Sequence, residues 1–223
     1  MNPDQAYKYQ QNYEQKVKEA ADYIRKKLRI HPEFGIVLGS GLDNLANTIN
    51  IYETINYGSI PNFPVPIVEG HKGELILGSI EGIPVIGLKG RKHYYEVADE
   101  PMNTGMLQVV FPVHVLAELN IKNYFATHAA GGLNLDYDIA DLMIIKTHIH
   151  KLPNPLLGRE MNFKRVNDYS KVWRFQPMNN AYDSDYSTLL LDASREYKEG
   201  LAHMGTVAIV TGPTYESEGE SID

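Results

Sequence analysis

Apolar residues recur with helical spacing near the start of the chain. Val17, Ala21, Ile24 and Leu28 follow one another at i, i+4, i+7 and i+11, with lysine and glutamate at positions between them. This spacing places the four side chains on one face of an amphipathic helix. Pro32 follows, and because proline does not continue a helix, we predict that the helix ends before it.

Short apolar runs bounded by small or polar residues indicate β-strands. The first is Gly35–Leu38, and two more, Leu75–Ser79 and Pro84–Leu88, flank Glu81-Gly82, which predicts a hairpin. Two more helices are predicted: a buried helix over Val109–Leu119, with Pro112 in its first turn, and a helix over Tyr186–Gly200. Three more strands are predicted over Tyr124–Thr127, Leu142–Thr147 and Thr206–Thr211. Residues 151–180 are polar and form a long excursion between these elements.

Strands that alternate with helices, several of them apolar on both faces, indicate an α/β fold. We predict a single domain over residues 1–223, in which a mixed central β-sheet is covered by helices on both faces. Residues 216–223 resemble the opening of a helix that never develops an apolar face. We therefore expect the C-terminal part of a longer architecture to be missing.

Composition removes several classes of protein. The chain has 223 residues, 43% of them hydrophobic, a formal net charge of -7 and no cysteine. Disulfides, thiolate nucleophiles and cysteine-ligated metals are thereby excluded, and the acidic balance argues against a nucleic-acid-binding face. The polar N-terminus lacks the apolar region of a signal peptide, and no apolar run approaches the roughly 18 residues of a membrane span. We expect a soluble, cytoplasmic protein without nucleic-acid or membrane partners.

The stretch "FGIVLGSGLDNLA" (residues 34–46) is a candidate anion site. Its strand ends in Gly39-Ser40-Gly41, and a small-residue turn before a helix offers backbone N–H groups to a phosphate. A dinucleotide fingerprint would need a third glycine where Asn44 stands, and an acid about 20 residues on, which "GSIPN" lacks. Free phosphate, a dinucleotide and a plain turn all stay open on this motif alone.

A second candidate is "GRKHYYE", residues 90–96. Arg91 is a permanent bidentate donor for phosphate. In an extended segment Arg91, His93 and Tyr95 point to the same side, which suits an oxyanion next to a sugar. The alternative is a solvated charged loop.

Two further strand ends carry candidate chemistry. In "THAAGGLN", small residues around Ala129 let a ligand approach the backbone. In "TGPTYES", Tyr215 can stack on a planar ring and Glu216 can accept N–H bonds from one. Glu216 could instead serve only as a carboxylate at a helix N-terminus. His148 and His150 alternate on a strand, but two histidines are a weak metal signal, and we predict no metal site.

Taken together and in order, these motifs resemble the trimeric purine nucleoside phosphorylases. The resemblance covers residues 34–223 and rests on ten stretches: "VLGSGL", "SIPNFP", "EGHKGEL", "GRKHYYE", "FPVHVL", "THAAGGLN", "DLMIIKTHI", "PNPLLG", "AYD" and "GPTYES". It implies a phosphorylase/hydrolase-like fold, a homotrimer and the phosphorolysis of purine nucleosides in purine salvage. The implied products are free base and ribose 1-phosphate. Orthophosphate is then a co-substrate, and no cofactor is needed.

The resemblance also implies roles for individual residues. The implied phosphate ligands are Ser40, His71, Arg91, His93 and the backbone of Ala129. Tyr95 resembles the family's sugar-contacting tyrosine, and Tyr215 resembles the aromatic residue that packs on the base. Glu216 resembles the carboxylate that binds a ring nitrogen of the base. His93 and Glu216 are the implied catalytic pair.

The residue chemistry agrees with this reaction. Glycosidic cleavage passes through an oxocarbenium-like state, which a phosphate dianion both stabilises and attacks. A carboxylate at Glu216 suits a ring N–H, so we expect inosine and guanosine as substrates. The alternatives are a methylthioadenosine phosphorylase, or a non-catalytic protein that binds purine or phosphate.

Some features depart from the family. His128 stands where the family usually has asparagine, and the link after Tyr95 is longer. The partner-subunit aromatic residue is matched only by position, at Trp173.

Overall fold

The computed structural model describes residues 1–39, 43–67, 73–157, 177–198 and 200–217, without the side chains of residues 43 and 44. The chain divides into two compact units. The first comprises Met1–Ala129 and Pro153–Arg174, and the second comprises Ala130–Leu152 and Phe175–Asp223. No helix of the described residues is both long and apolar enough to cross a membrane. That the whole chain forms one domain stays a prediction.

The first unit contains a five-stranded mixed sheet. Its strands are β1 (Phe34–Leu38), β2 (Asn50–Asn56), β3 (Glu74–Ile80), β4 (Ile83–Lys89) and β5 (Asn123–Ala126). They lie in the order β2-β3-β4-β1-β5, with β4, β1 and β5 parallel to one another. Strands β2, β3 and β4 pair antiparallel. The α/β class and the mixed central sheet are therefore confirmed.

The predicted hairpin between β3 and β4 is present. Glu81 and Gly82 have φ values of 48° and 82°, and two positive φ values in a two-residue loop match the twist of the flanking strands. Each of the two strands extends one residue beyond both predicted ends, because the ladder continues from Glu74↔Lys89 to Ile80↔Ile83.

Three α-helices lie in the described part of the first unit: α1 (Pro3–Gln11), α2 (Tyr13–Arg25) and α3 (Thr104–Glu118). Helix α2 is the predicted amphipathic helix. It buries Val17, Ala21 and Ile24, whereas Leu28 lies beyond its end and packs on the core from there. Helix α1 begins with a capping box, in which the Asn2 and Gln5 side chains each accept a backbone N–H of the other residue.

The prediction that Pro112 lies in the first turn of α3 is wrong. The helix begins at Thr104, five residues before the predicted start, so Pro112 is in its interior. A turn sets this earlier start: Met102 and Asn103 have φ values of 57° and 58°, and the Thr104 hydroxyl donates to the Pro101 carbonyl at 2.7 Å. Proline at this position removes one hydrogen bond to the carbonyl four residues earlier and crowds that carbonyl with its ring.

The two faces of the sheet are covered differently. Val37, Leu75 and Ile86 point to the face on which α2 and α3 pack. Their alternating neighbours, among them Ile36 and Ile76, point to the other face, where a 3-10 helix over Asp43–Thr48 contributes Ala46 to the cluster. The α-helices of this unit that the structure describes thus pack on one face.

The second unit pairs two parallel strands, β6 (Leu142–His150) and β7 (Ala202–Ile209), connected through helix α4 (Ser184–Tyr197). Each matches a predicted element in type. Helix α4 begins at the Asp183 cap, whose carboxylate accepts two backbone N–H groups. It ends three residues before Gly200, which has a φ of 78°.

Candidate functional site

Three parallel strands of the first unit end at one edge of the sheet, named here the carboxyl edge. Leu38 of β1 pairs with Lys89 of β4, and Val37 pairs with Ala126 of β5. The segments after residues 38, 89 and 126 therefore leave side by side. In open α/β sheets, ligands bind where parallel strands end and their loops diverge.

The ends of β1 and β5 touch backbone to backbone. The Gly39 N–H donates to the Thr127 hydroxyl at 3.0 Å, and that hydroxyl donates to the Val37 carbonyl at 3.1 Å. A Cβ on Gly39 would lie 2.0 Å from the Thr127 carbonyl oxygen, so only glycine fits. This close approach explains the glycine at position 39, the first residue of the predicted small-residue turn.

After β4 the chain forms an anion loop, defined as residues 90–96. Its first residue, Gly90, has a φ of 93°. The buried Tyr57 hydroxyl donates to the Gly90 carbonyl at 2.9 Å, and the Lys92 ammonium donates to the Val65 carbonyl at 2.7 Å. Burial raises the pKa of Tyr57, which keeps the hydroxyl protonated as a donor. The first bond ties the loop to the unit's core, and the second ties it to the segment that contains the exposed Val65.

The structure brings Arg91, His93 and Tyr95 together, but not as an extended segment. Residues Tyr94–Glu96 form a 3-10 turn, so alternation does not continue to Tyr95. The His93 and Tyr95 rings nevertheless stack, with centroids 5.1 Å apart and planes 10° apart. Burial lowers the pKa of Arg91, while Tyr124 and Tyr95 oppose that effect. An arginine remains charged at any physiological pH, so the same short loop holds a half-buried cation and an imidazole.

Sequence reasoning missed Glu96, the last residue of the anion loop. Its side chain is 2% exposed, and its carboxylate accepts the backbone N–H of His93 at 2.6 Å and of Ile67 at 2.8 Å. Burial raises the pKa of Glu96, but these two bonds, with Lys92 nearby, outweigh it and hold the pKa below its usual value. The carboxylate also lies 3.3 Å from Nδ1 of His93, which favours a hydrogen on that nitrogen. The capping-box spacing from His93 to Glu96 was the available signal.

Other predicted site residues lie in the second unit or outside the described residues. Tyr215 and Glu216 follow β7 and are exposed, Tyr215 by 96%. Ser40, His71 and Trp173 lie outside the described residues. The roles implied for all five stay predictions.

The two histidines of β6 contact each other, and His148 also contacts a tyrosine. The rings of His148 and His150 are 6.0 Å apart, and Nδ1 of His148 lies 3.0 Å from the Tyr182 hydroxyl. Burial raises the pKa of Tyr182. Among the described residues, no group of three or more histidine, cysteine, aspartate or glutamate side chains could hold a metal ion.

Comparisons with known proteins identify the family of this chain. The Phosphorylase superfamily model matches residues 33–221, across both units. Purine nucleoside phosphorylase 1 of Bacillus subtilis is 38% identical to this chain over 206 residues, which are 92% of this chain and 71% of that protein. The chain belongs to the purine nucleoside phosphorylase family.

Solved structures of the purine nucleoside phosphorylase family have the same fold. Isoform 2 of the Schistosoma mansoni enzyme, in complex with cytosine and ribose-1-phosphate, matches with a TM-score of 0.81 and 35% identity over 93% of this chain and 70% of that one. The Schistosoma mansoni enzyme in complex with inosine matches with a TM-score of 0.79 and 36% identity, over 93% and 70%. The resemblance and the enzyme class predicted from sequence are confirmed.

Proposed function

We propose that this chain cleaves 6-oxopurine nucleosides, inosine and guanosine, with orthophosphate, giving free base and ribose 1-phosphate. One observation carries the proposal: Arg91 and His93 follow β4 at the edge where the parallel strand β1 ends in the close-packed Gly39. A cation, an imidazole and a small-residue turn at one edge suit an inorganic anion better than a cofactor.

Arg91 and His93 would hold the phosphate oxygens as charge-assisted donors. Glu96 fixes the start of the turn that carries His93, so the imidazole is oriented before substrate arrives. Ser40, His71 and the Ala129 backbone complete the phosphate site by resemblance. Tyr95, which stacks on His93, would contact the sugar next to that phosphate, a role that comes from the resemblance.

The reaction exchanges one bond at the ribose C1′ for another. The bond from C1′ to the base nitrogen breaks, its electron pair leaves with the base, and a phosphate oxygen forms a bond to C1′. The departing base takes up one proton and the hydrogen phosphate gives one up, so the products are neutral base and ribose 1-phosphate. Positive charge that develops on the sugar is stabilised by the phosphate dianion. His93 serves this step by fixing the phosphate, and Glu216 serves it by a hydrogen bond to the departing base.

Tyr215 and Glu216 would supply the base contacts. A carboxylate accepts the ring N–H of a 6-oxopurine, and an aromatic ring stacks on the purine plane. The solved relatives support the substrate class, because one was crystallised with inosine and another with ribose-1-phosphate. The same proposal includes a homotrimeric assembly and a reaction that needs no cofactor, and both rest on resemblance.

The test is conversion of inosine to hypoxanthine with and without phosphate. We expect conversion only with phosphate, and arsenate should replace phosphate because it has the same charge and shape. Conversion without any oxyanion would indicate a hydrolase. A strong preference for methylthioadenosine over inosine would overturn the substrate proposal, and phosphate binding without conversion would favour a non-catalytic binder.

A further inference from the structure

His128 follows β5 at the carboxyl edge, and its side chain turns back onto its own backbone. Nδ1 lies 3.0 Å from the carbonyl oxygen of Ala129. A carbonyl oxygen only accepts hydrogen bonds, so Nδ1 carries the hydrogen and donates it. The imidazole therefore holds one carbonyl group of the segment implicated in phosphate binding.

Thr127, the residue before His128, is also held in place, by hydrogen bonds to the end of β1. The Thr127 N–H donates to the Val37 carbonyl at 3.0 Å, and the Thr127 hydroxyl bonds both Val37 and Gly39. The Ala129 N–H thus lies between an anchored threonine and a carbonyl held by an imidazole. Both ends of the short segment have their orientation fixed.

We propose that His128 is a positioning residue of the phosphate site: its Nδ1–H holds the Ala129 carbonyl and so, together with the anchored Thr127, restrains the backbone on both sides of the Ala129 N–H that binds orthophosphate. The donor also shields the bound anion from the partial negative charge of that carbonyl oxygen. This inference rests on the proposed function, because the phosphate role of Ala129 comes from resemblance.

The experiment compares three variants with the wild type. His128→Ala removes the donor, and His128→Asn keeps an amide N–H that can reach the same kind of acceptor. His31→Ala is the control, since His31 is an exposed histidine before β1, at the opposite end of that strand. Orthophosphate binding is measured by calorimetry, and the KM for phosphate is measured with inosine.

We expect His128→Ala to weaken phosphate binding and raise the phosphate KM about two- to tenfold, the range of one net hydrogen bond. The kcat should stay within about twofold, since the bond positions the anion rather than reacting. His128→Asn should recover most of the affinity, and His31→Ala should leave it unchanged.

Two results would overturn the inference: wild-type affinity in His128→Ala, or equal weakening in His128→Asn and His128→Ala. The calorimetric arm separates this inference from the proposed function. If the wild type binds phosphate but does not cleave inosine, the proposed function fails, and the comparison of affinities still decides the role of His128.

Discussion

The two units bury their apolar side chains to very different extents. Among the described residues, every apolar side chain classed as buried belongs to the first unit except Val207. The second unit leaves large apolar side chains in solvent, such as Leu135 at 100% and Leu189 at 62% exposure. The first unit therefore has a hydrophobic core of its own, and the second has much less of one.

This difference separates two kinds of site residue. The anion loop is tied to a packed core through Tyr57, and Gly39 and Thr127 fix the neighbouring strand ends. Tyr215 and Glu216 follow a strand of the unit that leaves its apolar surface uncovered. Phosphate contacts should thus be preorganised, whereas base contacts should depend more on what covers the second unit. Burial in the proposed homotrimer is one such cover.

The largest expected effect tests the core itself. Phe111 is fully buried and packs edge-to-face on Tyr13 at 5.7 Å and on Phe63 at 5.9 Å. Phe111→Ala should lower the free energy of unfolding by about 3–5 kcal/mol, because it removes a large side chain and leaves a cavity. Denaturant titration followed by circular dichroism measures the loss.

Leu189→Ala is the matched control in the second unit. Its side chain is mostly exposed, so we expect a change within about 0.5 kcal/mol. A loss comparable to that of Phe111→Ala would contradict the comparison, since it would show that the second unit buries this residue in solution.

The next largest effect is expected when the cationic side chain proposed to bind phosphate is removed. Arg91→Ala should raise the phosphate KM about 100-fold, because charge-assisted hydrogen bonds contribute about 1.5–3 kcal/mol each. Initial rates at varied phosphate measure the change in KM. Arg195→Ala is the control, since Arg195 forms an exposed ion pair with Asp192 on α4. Unchanged phosphate affinity in Arg91→Ala would remove Arg91 from the site.

A smaller effect is expected at Glu216. Glu216→Gln should reduce kcat/KM for inosine about tenfold, because the amide is a weaker acceptor for the ring N–H. The phosphate KM should stay constant, which distinguishes a base contact from a phosphate contact. Glu196→Gln, on the exposed face of α4, is the control. An unchanged kcat/KM would leave Glu216 as a helix-terminal carboxylate.

The sequence predicted those elements whose apolar pattern is set by the core. The hairpin and helix α2 followed from alternation and helical spacing. Strand β2 was missed because a register shift between Ile51 and Glu53 interrupts its alternation, and only Ile55 is buried. Helix α1 was missed because its sequence is polar and only Ala6 is buried.

The same distinction applies to the candidate site. Arg91, His93 and Tyr95 were predicted as site residues because their residue types, within one short motif, are typical of phosphate and sugar binding. The role of Glu96 depends on Ile67, 29 residues away, and such a contact exists only once the chain has folded. The meeting of Gly39 and Thr127, 88 residues apart, is likewise a product of strand order.

The smallest expected effect is a pH dependence that compares one carboxylate from each unit. Folding lowers the pKa of Glu96, so its contribution to stability is present above about pH 4.3, the unfolded value, and is lost as pH falls through the lower folded pKa. Glu96→Gln should cost about 1 kcal/mol near pH 7, and the difference from wild type should shrink below pH 4.

Asp141 is the carboxylate of the second unit that is compared with Glu96. Its pKa is lowered by the Asp138 N–H at 2.9 Å and by His203 at 3.1 Å, so its contribution has the same sign and is lost in acid. We expect Asp141→Asn to cost less than Glu96→Gln, because Glu96 is enclosed while Asp141 stays partly hydrated. Denaturant titration at pH 7 and pH 3 measures the loss in free energy of unfolding for both variants. A larger loss for Asp141→Asn than for Glu96→Gln would contradict the expected order of the two carboxylates.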